Sequence, residues 1–220
     1  MSKTVELDPE GDLMIVLSTT EASSKYPGHV CLANDPCQEH CSAAEDKISP
    51  PISSHPNSLD RTLSFKVSSK HVSLASRRFR KMLSGEWTEA TTVHPDGCRH
   101  VELKGFNSEA TNVVLSIIHG KTRSVPRSVG FDLLVMIALL VDDLECHEEV
   151  EVFSDMWIEG LRADLPLEWG QDVIPWILVS SVFRKPKIFQ TATRTAIVHS
   201  PDSIDSLGLP IGRWVFGEYI

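Results

Sequence analysis

The sequence predicts an α+β protein: a small three-stranded sheet flanked by a cluster of helices, with a helical extension at its C-terminal end. Two features of the pattern carry this. Apolar residues alternate with polar ones, or run briefly unbroken, in three short segments that all lie in the first half of the chain. Beyond them, apolar residues recur every three or four positions, the spacing of one helix face. Strands followed by a long run of helices indicate α+β packing, whereas a doubly wound sheet needs strands and helices in alternation.

The first strand is expected in GDLMIVLS (11–18), a short apolar run led by Gly11-Asp12. The second is LSFKVS (63–68), where Leu63, Phe65 and Val67 alternate with polar residues. Between them, residues 19–60 hold five prolines and few large apolar side chains. Such a stretch cannot bury enough surface to offset its ordering entropy, so a disordered insertion is expected there.

KHVSLASRRFRKML (70–83) comes next. His71, Leu74 and Ala75, then Phe79, Met82 and Leu83, keep helical spacing, and the small residues between them divide the segment into two short helices. Val72, Phe79, Met82 and Leu83 are the candidate core or interaction residues of this pair. The third strand is RHVEL (99–103). Asn107 or Ser108 then caps a helix over 108–120, because a short polar side chain at that place accepts from the free N–H groups of the first turn.

Two further stripes follow, Leu133, Leu134, Ile137, Ala138 and Val141, then Val150, Phe153, Trp157 and Leu161. One domain therefore covers 1–165, and the extension covers 166–220. The extension is expected to hold a helix over 172–183, with Pro175 tolerated in its first turn, and one over 186–199, with Ile188, Phe189, Ala192 and Ile197 on one face. A short helix is expected near the end of 207–220.

Composition narrows the function. The formal net charge is −9 and the pI about 5.4, which argues against nucleic acid and against anionic membrane surfaces. The longest apolar runs, 133–141 and 173–183, fall short of the roughly 20 residues that cross a bilayer. The polar N-terminal stretch carries no apolar signal core, and the five cysteines are odd in number and unevenly placed. A reducing compartment, cytoplasm or nucleus, is expected.

Chemistry-bearing clusters are few. Cys31, Cys37, His40 and Cys41, with His29 nearby, contain soft-metal ligands, but no second ligand pair follows at a standard zinc spacing, so no metal is expected. Arg77, Arg78, Arg80 and Lys81, and the run RKPK (184–187), are read as solvated helix faces in preference to localisation signals. Glu148, Glu149 and Glu151 share one acidic helix. There is no Gly-x-Ser-x-Gly elbow and no glycine-rich phosphate loop, and His71 is expected to pack within a helix pair. The reading is therefore non-enzymatic, with no cofactor.

The segments GDLMIVLS (11–18) and FKVSSKHVSLASRRFRKML (65–83), with Ser76, Phe79, Met82 and Leu83 in a Ser-x-x-Phe-x-x-Met-Leu arrangement, resemble the BTB/POZ domain. VSSKHVSLAS (67–76) and SLGLPI (206–211) look like the variant of filamentous-fungal BTB proteins. The chain differs in having Ser68 where many members have histidine, and residues 19–60 where most have a tight turn. The resemblance implies a protein–protein interaction module. Its implied partners are a cullin-type ubiquitin-ligase scaffold or another BTB protein; a nuclear regulator recruiting a co-regulator is the alternative. Domain-swapped BTB dimers exchange a helix and a strand that precede the first core strand. MSKTVELDPE is too short for both, so a monomer or weak dimer is expected.

Deleting about residues 25–55 and closing the gap with a short turn should leave a cooperative thermal transition, because loop-closure entropy grows slowly with length. Loss of that cooperativity in calorimetry would place the insertion in the core.

Overall fold

The computed structural model describes residues 3–18, 63–85, 91–200 and 209–211. In β2 (Leu13–Ser18), Leu13, Ile15 and Leu17 are buried and the residues between them half-buried, so the apolar run is a strand with one face in the core. β3 (Leu63–Val67) pairs antiparallel with it and adds Phe65 and Val67 to that face. β4 (Arg99–Lys104) runs parallel to β2 and adds Val101 and Leu103.

The sheet has four strands, not three. β1 (Lys3–Glu6) pairs parallel with β3, giving the order β1-β3-β2-β4. Its sequence, KTVE, has only Val5 to bury and no alternation to read. Backbone pairing places it, and the Leu7 and Asp8 N–H groups extend that pairing by donating to Lys66 O at 3.0 and 3.2 Å. The N-terminal stretch thus does contain a strand, and it pairs within its own chain. Between β1 and β2 the chain reverses with Gly11 N–H donating to Asp8 O. A Cβ on Gly11 would lie 2.6 Å from Val67 O, so this close crossing requires glycine.

α1 (Ser69–Ala75) and α2 (Arg77–Ser84) are the two short helices, and α3 spans Ser108–Ile118. Asn107 caps α3, accepting from Glu109 and Ala110 N–H at 2.9 and 3.0 Å. The other helices are α4 (Phe131–Leu144), α5 (His147–Gly160), α6 (Val173–Val182) and α7 (Pro186–His199). Among the described residues none is long and apolar enough to cross a membrane. α6 is buried on nearly every side, including Trp176 and Pro175, as expected of a helix that is apolar all round. It packs against α4 and α7, so the extension shares one core with the preceding domain.

Two face assignments are corrected. In α1 the buried residues are Ser69 and Val72, while His71 and Leu74 are exposed, Leu74 by 75%. In α7 the inward residues are Ala192, Thr195 and Ala196, with Ile188 and Phe189 half-buried, and Ile197 points outward. The expected insertion, the Cys31/Cys37/His40/Cys41 group with His29, and nearly all of 207–220 lie outside the described residues.

Phe79 is fully buried although Arg78 and Arg80 flank it. Phe79→Ala should cost about 3–5 kcal/mol in urea unfolding, since the ring leaves a cavity its neighbours only partly fill. A loss under about 1 kcal/mol would contradict its core position.

Candidate functional site

The α1–α2 pair carries the candidate residues, and the structure brings them together. Val72 and Phe79 are wholly inside, and Met82 and Leu83 are half-buried against the same core. Their apolar side therefore seats the helix pair and leaves little of it for a partner.

The basic run on α2 is also engaged within the chain. Arg78 donates to the Asp143 carboxylate. Arg77 and Lys81 lie 3.6 and 3.8 Å from the Glu145 carboxylate. Arg80 donates to the Ser73 and Leu74 carbonyls, both at 3.0 Å, closing the end of α1. These four side chains bind the helix pair together and to the end of α4; Arg77, Arg80 and Lys81 are exposed, as a solvated face requires, and Arg78 is half-buried. The Ser76 hydroxyl makes the central link. It accepts from Phe79 N–H at 3.0 Å as the cap of α2 and donates to Leu144 O at 2.5 Å.

Asp12 ties the sheet to α1. Its carboxylate accepts from the N–H and hydroxyl of Ser69 at 2.8 and 2.7 Å and from Arg99 at 2.7 Å. Burial alone would raise its pKa, but the Ser69 and Arg99 donors together prevail and hold it below the usual 3.8. The interior thiols are inert at neutral pH: burial pushes Cys146 up to about 12 and also raises Cys98. Among the described residues no three His, Cys, Asp or Glu side chains converge on a possible metal site.

A groove opens elsewhere, between α5 and the start of α7. RKPK forms the turn that makes one wall. Arg184 adopts a left-handed conformation (φ 53°), and its N–H and that of Lys185 donate to the Ser181 and Ser180 carbonyls, ending α6. Pro186 then opens α7. The groove is open to solvent and offers about 400 Å³, with Ile158, Pro186 and Ile188 as its apolar part. Charges rim it in pairs: Lys185 with Asp155, and Arg162 with Glu159 at 3.0 Å. Lys187 has no ion pair among the described residues. A smaller hollow of about 70 Å³ lies alongside, bordered by Glu148, Glu151 and Arg184. The sequence signals for this site are separate: a basic run interrupted by Pro186, and an acidic helix some thirty residues earlier (roughly two helix lengths by typical helix size).

No family model matches this sequence, and no curated protein matches it.

Ser76→Ala would remove the α2 cap and leave the Leu144 carbonyl without its hydroxyl donor. The expected cost is about 2–4 kcal/mol, combining a lost cap with a lost buried hydrogen bond. Chemical denaturation of the variant against wild type measures it. A change below about 0.5 kcal/mol would show that the joint is not a stabilising contact.

Proposed function

We propose that this chain is a non-enzymatic protein–protein interaction module of the BTB/POZ kind, an adaptor that docks a cullin-type ubiquitin-ligase scaffold. The observation that carries the reading is the α5–α7 groove: an apolar floor about the size of one or two large side chains, rimmed by charge. Interfaces of this kind draw most of their energy from a few buried anchors and their direction from the polar rim. The occupant proposed is a protein segment that inserts an aliphatic or aromatic side chain over Ile188 and Pro186 and sets a carboxylate near Lys187. Lys187 gives the groove a spare positive charge, since both rim acids already face a base.

The order of elements supports the same reading. A strand led by Asp12, a strand bearing Phe65, the α1–α2 pair with Ser76 and Phe79, and a set of helices closing over one core are what the family resemblance implies. The four-strand sheet is a difference of detail from the three-strand expectation and leaves these parts in place.

The test is calorimetric titration of the full chain with a purified cullin N-terminal domain. Wild type should bind with a micromolar or tighter Kd. Lys187→Glu alters an exposed residue and should weaken binding several-fold. Adding Ile188→Asp should weaken it at least a hundredfold, equivalent to about 2.7 kcal/mol, with the far-ultraviolet dichroism unchanged. Absence of binding by wild type, or equal binding by all three, would overturn the proposal.

A further inference from the structure

His119 follows the last residue of α3 and joins two backbone groups that belong to different elements. Its Nδ1 lies 2.8 Å from the Leu115 carbonyl oxygen. Its Nε2 lies 3.1 Å from the Ser68 N–H. A carbonyl only accepts, so Nδ1 carries the hydrogen. An amide N–H only donates, so Nε2 must be bare. The two partners together fix one neutral tautomer, and neither can change its role.

We propose that His119 is a pH-operated latch between the end of α3 and the β3–α1 corner, closed while the imidazole is neutral and opened when it takes up a proton. The proton would be added at Nε2. That sets one N–H against another and removes the acceptor from Ser68. The Leu115 carbonyl would lose nothing by this, because Nδ1–H is retained and the His119 backbone N–H also donates to it at 3.0 Å. The effect therefore falls on the Ser68 side. Ser68 caps α1, its Oγ accepting from His71 N–H, and the next residue is the one held by Asp12. α1 in turn presents the exposed Leu74. Opening the latch loosens the entry to α1 while Ser76 and the α2 ion pairs hold its far end.

The surroundings favour the closed state. Burial is the main influence and holds the His119 pKa below the usual 6.5. The Leu115 carbonyl and Asp8, in the β1–β2 turn, act in the opposite direction. His71 on α1, its ring centroid 5.2 Å away, and Lys121 just past α3 reinforce burial. The open state, with His119 in water, binds the proton more readily than the closed one. Closure is therefore at full strength above about pH 6.5 and weakens as pH falls below that value toward the lowered pKa, by up to about tenfold per pH unit.

Amide hydrogen exchange on the full chain between pH 7.5 and 5.5, corrected for the intrinsic rate, reads the latch at Ser68. In wild type the Ser68 protection factor should fall several-fold as pH drops below 6.5, while Phe79, behind the Ser76 joint, stays protected. His119→Gln keeps an acceptor for Ser68 but does not titrate, and its Ser68 protection should be flat. His71→Gln should retain the fall. The wild-type ring resonances of His119, followed by NMR, should titrate with a midpoint below 6.5, near the pH at which the loss of Ser68 protection levels off, a measurement that does not depend on either variant folding. The proposal is overturned if wild-type protection is constant, if the His119 ring titrates at or above 6.5, or if His71→Gln abolishes the fall.

Discussion

The hydroxyl of Ser76 is the contact on which the arrangement of helices depends. One residue separates α1 from α2, and it must break one helix, start the next and remain buried. Its extended backbone (φ −115°, ψ 124°) makes the break. All its polar groups are satisfied: its N–H donates to Val72 O, its carbonyl accepts from Arg80 N–H, its Oγ accepts from Phe79 N–H, and its hydroxyl donates to Leu144 O. A buried corner with any of these unmet would be costly. Leu144 O is one of the last carbonyls of α4, which by helix geometry have no partner inside their own helix. The corner and the helix end thus each complete the other.

Charge strengthens this junction. Asp143 and Glu145 sit where α4 ends and receive Arg78, Arg77 and Lys81 from α2. The negative end of the α4 macrodipole points the same way and favours those cations. The Arg78–Asp143 pair is well shielded, with side chains 20% and 13% exposed, so it is less weakened by water than the Glu145 pairs. Glu145, left-handed at φ 51°, then turns the chain into α5 through buried Cys146. The direction of α5, and hence one wall of the groove, starts at the same junction. Within α5, Trp157 is anchored by its Nε1, which donates to Pro126 O at 2.9 Å, and between α4 and α6 the Trp176 ring stacks on Phe131 at 4.7 Å.

What the sequence makes legible follows from how local each cause is. Caps and periodicities are short-range, so the division of 70–83 into two helices, the Asn107 cap, Pro175 in a first turn and the burial of Phe79 can all be read directly. Phase within a seven-residue helix is less determined. α1 buries Val72 because the pull of Asp12 on Ser69 and of Ser76 on Leu144 fixes its rotation, and those partners lie 57 and 68 residues away in sequence. β1 is illegible for a related reason: its backbone finds β3, whereas its side chains are nearly all exposed. Arg77, Arg78 and Lys81 of α2 look like free charge until Asp143 and Glu145 are folded beside them. The groove has no sequence pattern of its own, being a gap between elements.

The same long-range pairing limits how the groove can recognise anything. The chain carries a net charge of −9, which would draw basic partners from a distance. Near the groove that field is offset, because Lys185 and Arg162 answer Asp155 and Glu159. These pairs are partly exposed, at 23% and 56% for Lys185 and Asp155, and pairs of that kind contribute at most about 1 kcal/mol. Covering them with a partner removes water from charges already satisfied, so they add little affinity. In the proposed interaction the gain in binding comes from the apolar floor of Ile158, Pro186 and Ile188, while Lys187, with no ion pair among the described residues, chooses between an acidic and a basic neighbour. In that proposal affinity and selectivity fall on different residues of the groove, and a change at Lys187, which is exposed, would redirect recognition without touching the core.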